Sequence, residues 1–342
     1  MTVPDAPTLY FELAPYSRSD RLFWEQTLAR WQAESAAGVR LAAKPDEADC
    51  IVETSVRQNF TGGRVFTVAP DSHYHRRPAD TFAWDGQDQP TGRLPGLYCS
   101  LSRRIFDATR HRTFRYPHRY NEFVALAPLH EARHLFGFTG SVTSPLRARL
   151  FDRLAPAART GRALLRATAG IWGQIFTAGS AAAKESYLAD LRACKFVLCP
   201  RGNGTGSVRL FEALETGRVP VILSDNYVAP PELAAEPCVV RIRERDLNEL
   251  PAILAAKEAD WPALAARARS VWENCFSDRV VLSRIAAGLT AIRAARRTDE
   301  RWMPLLFPPR VLPHLAVCKL KQLSVRFRSA GKPRPAPAPA IP

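Results

Sequence analysis

The segment CKFVLCPRGNGTGSVRLFEALETGRVPVILSDNYVAP, residues 194–230, concentrates side chains with a clear chemical use. An apolar run ends at Cys199-Pro200, glycines follow at 202, 204 and 206, and a helical pattern opens near Ser207. Glycines at a strand-to-helix junction let backbone N–H groups approach a ligand closely. The helix N-terminus adds positive potential, so the junction made by Gly202, Gly204, Gly206 and Ser207 reads as an anion site. Arg209 falls in the first helical turn, where a cation opposes the helix dipole unless an anion sits beside it. Arg201, just before the loop, is within reach of the same anion. At 100° per residue, Leu210, Phe211 and Leu214 form a core face, while Arg209, Glu212 and Thr216 share a polar stripe. Glu212 is thereby set one turn deeper than Arg209. Its carboxylate can accept hydrogen bonds from paired sugar hydroxyls while the arginines hold a diphosphate. The next strand delivers Ser224 and Asp225 at its C-terminal end, the edge where open α/β sheets bind ligands. The plainer alternative is a surface Arg–Glu pair at i,i+3 beside a glycine turn. The loop is not a Walker A, which needs a closing Gly-Lys-Ser/Thr, and its glycine spacing differs from the dinucleotide fingerprint.

A second motif points elsewhere. His130, Glu131 and His134 spell H-E-x-x-H, which in zinc peptidases puts two histidines on one face of a long helix. Here Pro128 limits any helix in front, and the LFGF run with Gly137 reads as a strand starting straight after His134. Gly140 stands where one peptidase class carries its third histidine ligand, and no Glu follows Glu131 until Glu185. A polar turn leading into a strand is the reading adopted, with no metal site expected.

The elements that must position the first segment follow from apolar patterning. TLYFEL, ADCIVET and RVFTVAP read as strands, and RLFWEQTLARWQAE as a helix. Pro70 to Pro117 reads as a long irregular stretch rich in Pro, Arg and His. The pattern restarts at HLFGFTG, a strand. A helix opens at Ser144-Pro145, with Ser as N-cap and Pro at the first position. KESYLADLRAC, SVRLFEALETG, LNELPAILA and WPALAARARSVWENCF read as helices, and KFVLCP, VPVILSD and CVVRI as strands. Strands made of unbroken apolar runs and alternating with helices predict parallel sheets covered on both faces, hence two Rossmann-like domains with a cleft between them. From Gly331 the Pro/Ala tail has no means of building a core.

Composition bounds the partners. The 342 residues are 46% hydrophobic and 24% charged, with a formal net charge of +15. That balance describes a globular chain that favours phosphate-bearing substrates or anionic lipid surfaces. No zinc-finger spacing, RNA-binding aromatic signature or helix-turn-helix accompanies the charge, so nucleic acid is not the expected partner. Seven cysteines without a C-x-x-C pair, several inside apolar runs, read as buried reduced thiols. No signal-peptide h-region is visible, and the longest uncharged run, between Arg166 and Lys184, is too polar to span a bilayer. A cytoplasmic protein, peripheral on the inner membrane face, is the expectation.

The stretch KFVLCPRGNGTGSVRLFEALETGRVPVILSD resembles the signature of the exostosin family, glycosyltransferase family 47. The pattern is Lys-Phe, apolar residues, Cys-Pro-Arg-Gly, a Ser-x-Arg-x-x-Glu-Ala helix, and a Val-Pro-Val-Ile strand ending in Ser-Asp. LFGFTGSVTSPLRARL resembles the strand and Pro-x-Arg helix that open the family's donor domain, and LPGLYCSL resembles bacterial members. The resemblance spans residues 134–245. It implies an α/β GT-B fold, with two Rossmann-like domains facing a cleft. Residues 1–133 would be the acceptor-side domain, 134–290 the nucleotide-sugar domain, 291–330 a C-terminal helical segment and 331–342 a disordered tail. It further implies inverting transfer from a nucleotide-diphosphate sugar to a glycan or lipid-linked acceptor, in polysaccharide or cell-surface glycan synthesis. Arg201 and Arg209 would bind the diphosphate and Glu212 the ribose. Gly140, Ser141, Gly202, Gly204, Gly206, Ser207, Ser224 and Asp225 would line the donor site. The sequence departs from many members at TGGRVFTVAP, where Val65 and Phe66 replace an Asp-His or Asn-His pair.

No Asp-x-Asp is present to hold a metal, and no cofactor is expected; arginines can neutralise the leaving diphosphate instead. Inversion then needs one general base for the acceptor hydroxyl, supplied from the N-terminal half. Asp71, His73 and Asp88 are the candidates, with Asp85 beside them. The alternatives are a fucosyltransferase-like enzyme on the same fold and a catalytically silent nucleotide-sugar or polyanion binder. The segment 310–329 carries Leu312, Leu315, Leu320, Leu323 and Phe327 at helical spacing among Arg310, Lys319, Lys321, Arg326 and Arg328. It reads as a helix leaning on an anionic membrane, or one packed back on the N-terminal half.

Overall fold

Among the described residues, ten short segments assemble into two five-stranded, all-parallel sheets in the computed structural model. The structure describes residues 7–35, 39–54, 60, 65–117, 121–168, 181–235 and 237–329. The first sheet contains β1 (Leu9–Glu12), β2 (Cys50–Glu53), β3 (Thr81–Asp85), β4 (Gly96–Tyr98) and β5 (His111–Thr113), in that spatial order. Helix α1 (Arg18–Glu34) opens at Ser17, whose hydroxyl accepts from Asp20 N–H at 3.3 Å. It buries Trp24 and Trp31 against Trp84 of β3, with ring centroids 6.1 and 5.7 Å apart.

The second sheet contains β6 (His134–Gly140), β7 (Ala163–Ala167), β8 (Cys194–Pro200), β9 (Val219–Leu223) and β10 (Val240–Arg241). Its order is β10-β9-β8-β6-β7. The chain sets β7 at one edge of β6, then crosses back to lay β8 at the other. The strand order therefore reverses between β6 and β8, the point where doubly wound sheets open a ligand crevice. Its helices are α2 (Pro145–Arg159), α3 (Ala181–Arg192), α4 (Arg209–Glu215), α5 (Pro231–Ala235), α6 (Leu250–Ala255) and α7 (Trp261–Val271). Strand alternation sends Phe196 and Leu198 toward Leu146, Leu150 and Leu250, and Val197 and Cys199 toward Leu210, Leu214 and Ala268. Burial on both faces is why these strands consist of unbroken apolar runs.

One apolar core joins the two sheets. Phe276 packs against Phe114 (5.9 Å between centroids) and against Phe211 (5.3 Å). Helix α8 (Val281–Ala295) lies mostly within the second domain's expected boundaries, yet it packs on β4 and β5 of the first sheet. Glu300 then anchors the chain there. It is buried and paired with Arg110, and it accepts from the Tyr74 hydroxyl at 2.6 Å. Helix α9 (Met303–Ser329) follows and packs Met303, Phe307 and Val311 beside Tyr98 of the first sheet and Leu101 just after it.

Two expectations need correction. Residues 65–70 of RVFTVAP form no strand; Phe66 is exposed, and Val65 and Val68 pack in the cluster under α9 instead. The neighbour of β2 is Thr81–Asp85, inside the stretch expected to be irregular, which also supplies β4 and β5. Gly63 and Arg64, the uncharged run from 169 to 180, the tail from Gly331, and the side chains of Leu320, Leu323 and Phe327 lie outside the described residues. His130 and Glu131 occupy a single 3-10 turn, and His134 begins β6 with Nδ1 2.8 Å from the Gly161 carbonyl oxygen. No disulfide joins the seven cysteines, and six of them are buried.

Candidate functional site

A cavity of about 370 Å³ opens at the crevice between β6 and β8. Ser141 follows β6, Gly202 and Asn203 follow β8, and Ser207, Arg209 and Glu212 come from the loop and helix beyond. Its far wall belongs to the first half of the chain, through Gly86, Asp88 and Tyr116.

Arg209 is buried, and its Nε donates to the Thr139 carbonyl at 2.9 Å. The guanidinium lies 4.8 Å from the Phe138 ring centroid and 5.7 Å from that of Tyr187. Gly140 is required here because a Cβ at that position would strike the Arg209 guanidinium. Glu212 is buried as well and accepts a hydrogen bond from the Tyr187 hydroxyl, so the alternative of a surface Arg–Glu pair does not describe these residues. Burial and the Glu212 charge push the Tyr187 phenol far up, which keeps it a donor.

A second cation, Arg147, enters the same cavity from the first turn of α2. Its Nη1 donates to the Ser141 carbonyl at 3.0 Å and its Nη2 to the Pro200 carbonyl at 3.2 Å, bridging the ends of β6 and β8. Burial, then the Arg209 charge, lowers its pKa to about 10, so it stays cationic at neutral pH. Ser207 is buried, and its hydroxyl has no hydrogen-bond partner among the described residues. Two guanidiniums and an unpartnered hydroxyl lining one crevice have the chemistry to hold an anion, beside the Glu212 and Asp88 carboxylates. Sequence reasoning passed over Arg147, although the Ser144 cap and Pro145 place it in a first helical turn as surely as Arg209.

The remaining expected residues divide. Arg201 turns away from this cavity and pairs with Glu244 through two hydrogen bonds, of 2.6 and 3.0 Å. Asp225 joins the same network, accepting from Glu244 N–H at 3.0 Å, and Ser224 is buried at the end of β9. Gly204 and Gly206 serve close approach: a Cβ at either would collide with backbone of the first half, at Asp88 and Cys99. The loop is tied there by Thr205 Oγ1 to the Ser100 carbonyl (2.7 Å) and Gly206 N–H to Ser100 Oγ (3.0 Å).

Of the three proposed bases, Asp88 alone lines the cavity. Asp71 is exposed. His73 contacts the Glu12 carboxylate and donates its backbone N–H to Glu53 at 2.9 Å. Asp88 also lines a second cavity of about 570 Å³ on the other side of the 202–205 loop, together with Ser102, Arg104, Thr205 and His314. Surrounding protein raises the Asp88 pKa above the ordinary carboxylate value, against the pull of Arg147, the Asn203 side chain and Gly204 N–H.

Asp85 shapes the loop that carries Asp88. It is buried at the end of β3, and its Oδ1 accepts from Gln87 N–H at 2.8 Å. Burial raises its pKa to about 7, against about 3.9 for an unfolded aspartate. The protonated form therefore favours the folded state, a contribution complete below pH about 4 and lost as pH rises to about 7. Asp85→Asn keeps an acceptor for Gln87 and mimics the protonated acid. Its melting temperature is expected to match the parent at pH 4, exceed it increasingly up to pH 7, and hold that margin above. An equal margin at pH 4 and pH 8 in thermal melts would contradict the assignment.

Residues 114–257 match the family model described as the Exostosin GT47 domain. No curated protein matches the chain.

Proposed function

We propose that this chain, in which residues 114–257 match the Exostosin GT47 domain, is a glycosyltransferase, and specifically an inverting, GT-B-type enzyme using a nucleotide-diphosphate sugar. The reading is carried by one observation: Asp88 stands on the rim shared by two cavities, one of which holds Arg147, Arg209, Ser207 and Glu212. The donor occupies the first cavity. Arg147 and Arg209 hold its diphosphate with Ser207, and Glu212, oriented by Tyr187, accepts hydrogen bonds from the ribose hydroxyls. The acceptor, a glycan or lipid-linked sugar, enters through the second cavity.

The acceptor hydroxyl gives its proton to Asp88 as its oxygen bonds to the anomeric carbon. The bond from that carbon to the diphosphate breaks on the opposite face, and its electron pair leaves with the diphosphate. The two guanidiniums compensate the charge that develops there, inside a crevice where the dielectric is low. Inversion follows from a single displacement.

Thermal melts across a panel of nucleoside diphosphates, their sugar esters and inorganic pyrophosphate test the donor site. A ligand at 100 times its Kd adds about 2.7 kcal/mol of stability, which is a shift of several degrees. Glu212→Ala is expected to erase most of the shift from the nucleoside diphosphate and leave any shift from pyrophosphate. A panel in which no nucleotide sugar stabilises the parent protein would refute the reading.

A further inference from the structure

Helix α9 and the turn before it are apolar on two opposite sides. Met303, Phe307, Val311 and Cys318 recur at helical spacing and are buried on the first sheet. On the far side, Trp302, Leu305, Leu306 and Leu312 are 54, 68, 52 and 50% exposed. Pro309, Pro313 and Ala316 fill the positions between and beyond them, and they too are exposed. At 100° per residue these seven lie within one sector of about 120°, centred about 160° around from the buried set. Single exposed leucines are ordinary, whereas a continuous apolar stripe marks a surface that meets something.

Charge identifies what it meets. Exposed Arg301, which pairs with Asp299, and exposed Lys319 flank the stripe, and exposed Arg297 precedes it in the chain. From Arg301 to Pro342 the chain has eight Lys and Arg and no Asp or Glu, within a protein of net charge +15. A tryptophan, leucines and prolines rimmed by cations match the boundary between acyl chains and acidic headgroups. No helix among the described residues is long and apolar enough to cross a membrane, so α9 would lie on the surface. We propose that the stripe from Trp302 to Ala316 docks on an anionic lipid bilayer. The docking stands independently of the transferase reading. If both hold, the helix that docks on the bilayer is also the one that lines the second cavity, from its opposite side, through His314, Val317 and Cys318.

The test uses the full chain and vesicles of phosphatidylglycerol mixed with phosphatidylcholine, or of phosphatidylcholine alone. Co-sedimentation is expected with the acidic vesicles only, weakening as salt is raised. Leu305→Glu with Leu306→Glu is expected to weaken it about tenfold or more, with an unchanged melting temperature because both side chains are exposed in the parent. Brominated acyl chains should quench tryptophan fluorescence in the parent and much less in Trp302→Phe. Absence of binding to acidic vesicles, or binding undiminished in the double variant, overturns the proposal. So does a lipid-free dimer that the double variant abolishes, since a second copy would then own the stripe.

Discussion

Replacing Arg209 by alanine is expected to lower kcat/KM for sugar transfer by about 10²- to 10³-fold, the usual loss when one preorganised charge-stabilising donor is removed. The magnitude follows from how the side chain is held. Its Nε is committed to the Thr139 carbonyl, and the Phe138 and Tyr187 rings bracket the guanidinium, so little rotamer freedom is left to lose on binding. Arg209→Lys keeps the charge but not the planar fork, and should recover only part of the rate. Gly140→Ala provides an independent route to the same defect, because its Cβ would push the guanidinium out of position while leaving every charge in the cavity. The parent and the three variants should be compared by transfer rate, nucleoside diphosphate affinity and melting temperature. A folded Arg209→Ala protein with donor affinity and rate near those of the parent would remove Arg209 from the site.

How far the sequence exposes this arrangement depends on the range of the interactions involved. Strands β6, β8 and β9 are legible because burial on both faces demands continuous apolar runs. The shared stripe of Arg209 and Glu212 is legible because helical geometry is local. Strands β4 and β5 are not. Each has three residues, and β5 is His111-Arg112-Thr113, whose buried His111 reaches the Gly92 carbonyl oxygen while its ring packs against Tyr98 and Phe106, contacts that only the tertiary fold supplies. Gly96 gives no strand signal either; it has φ of +152° and lies so close to Ala83 that a Cβ would meet that residue's backbone. Arg201 looks equivalent to Arg209 along the chain, but Glu244, which takes its guanidinium, arrives only through the tertiary fold. Likewise, the three glycines of the 202–206 loop announce close approach, but not that Asp88 and Cys99 are what approach two of them. The two-sided character of α9 was half visible: Leu312 is exposed as a lipid-facing residue would be, while Leu315 packs against the core.

Asp88→Asn is expected to lower the transfer rate by about 10²- to 10⁴-fold while leaving nucleoside diphosphate affinity intact or slightly improved. The amide has the shape of the carboxylate but cannot take the acceptor proton, and it removes a negative charge from the rim of an anion site. The parent's pH profile should report the same group. Crowding by protein raises the Asp88 pKa, so the ionised, proton-accepting form is lost on acidification at a higher pH than for an ordinary carboxylate near 4. The Asn203 side chain opposes that rise by donating to the charged form. Asn203→Ala should therefore move the acid limb of kcat/KM to higher pH, with the alkaline plateau less affected. Profiles of both proteins from pH 4 to pH 9 decide the matter together with the Asp88→Asn rate. An acid limb that stays in place would detach the limb from Asp88, and an Asp88→Asn enzyme retaining near-parental turnover would return the base to an unassigned group elsewhere on the acceptor side.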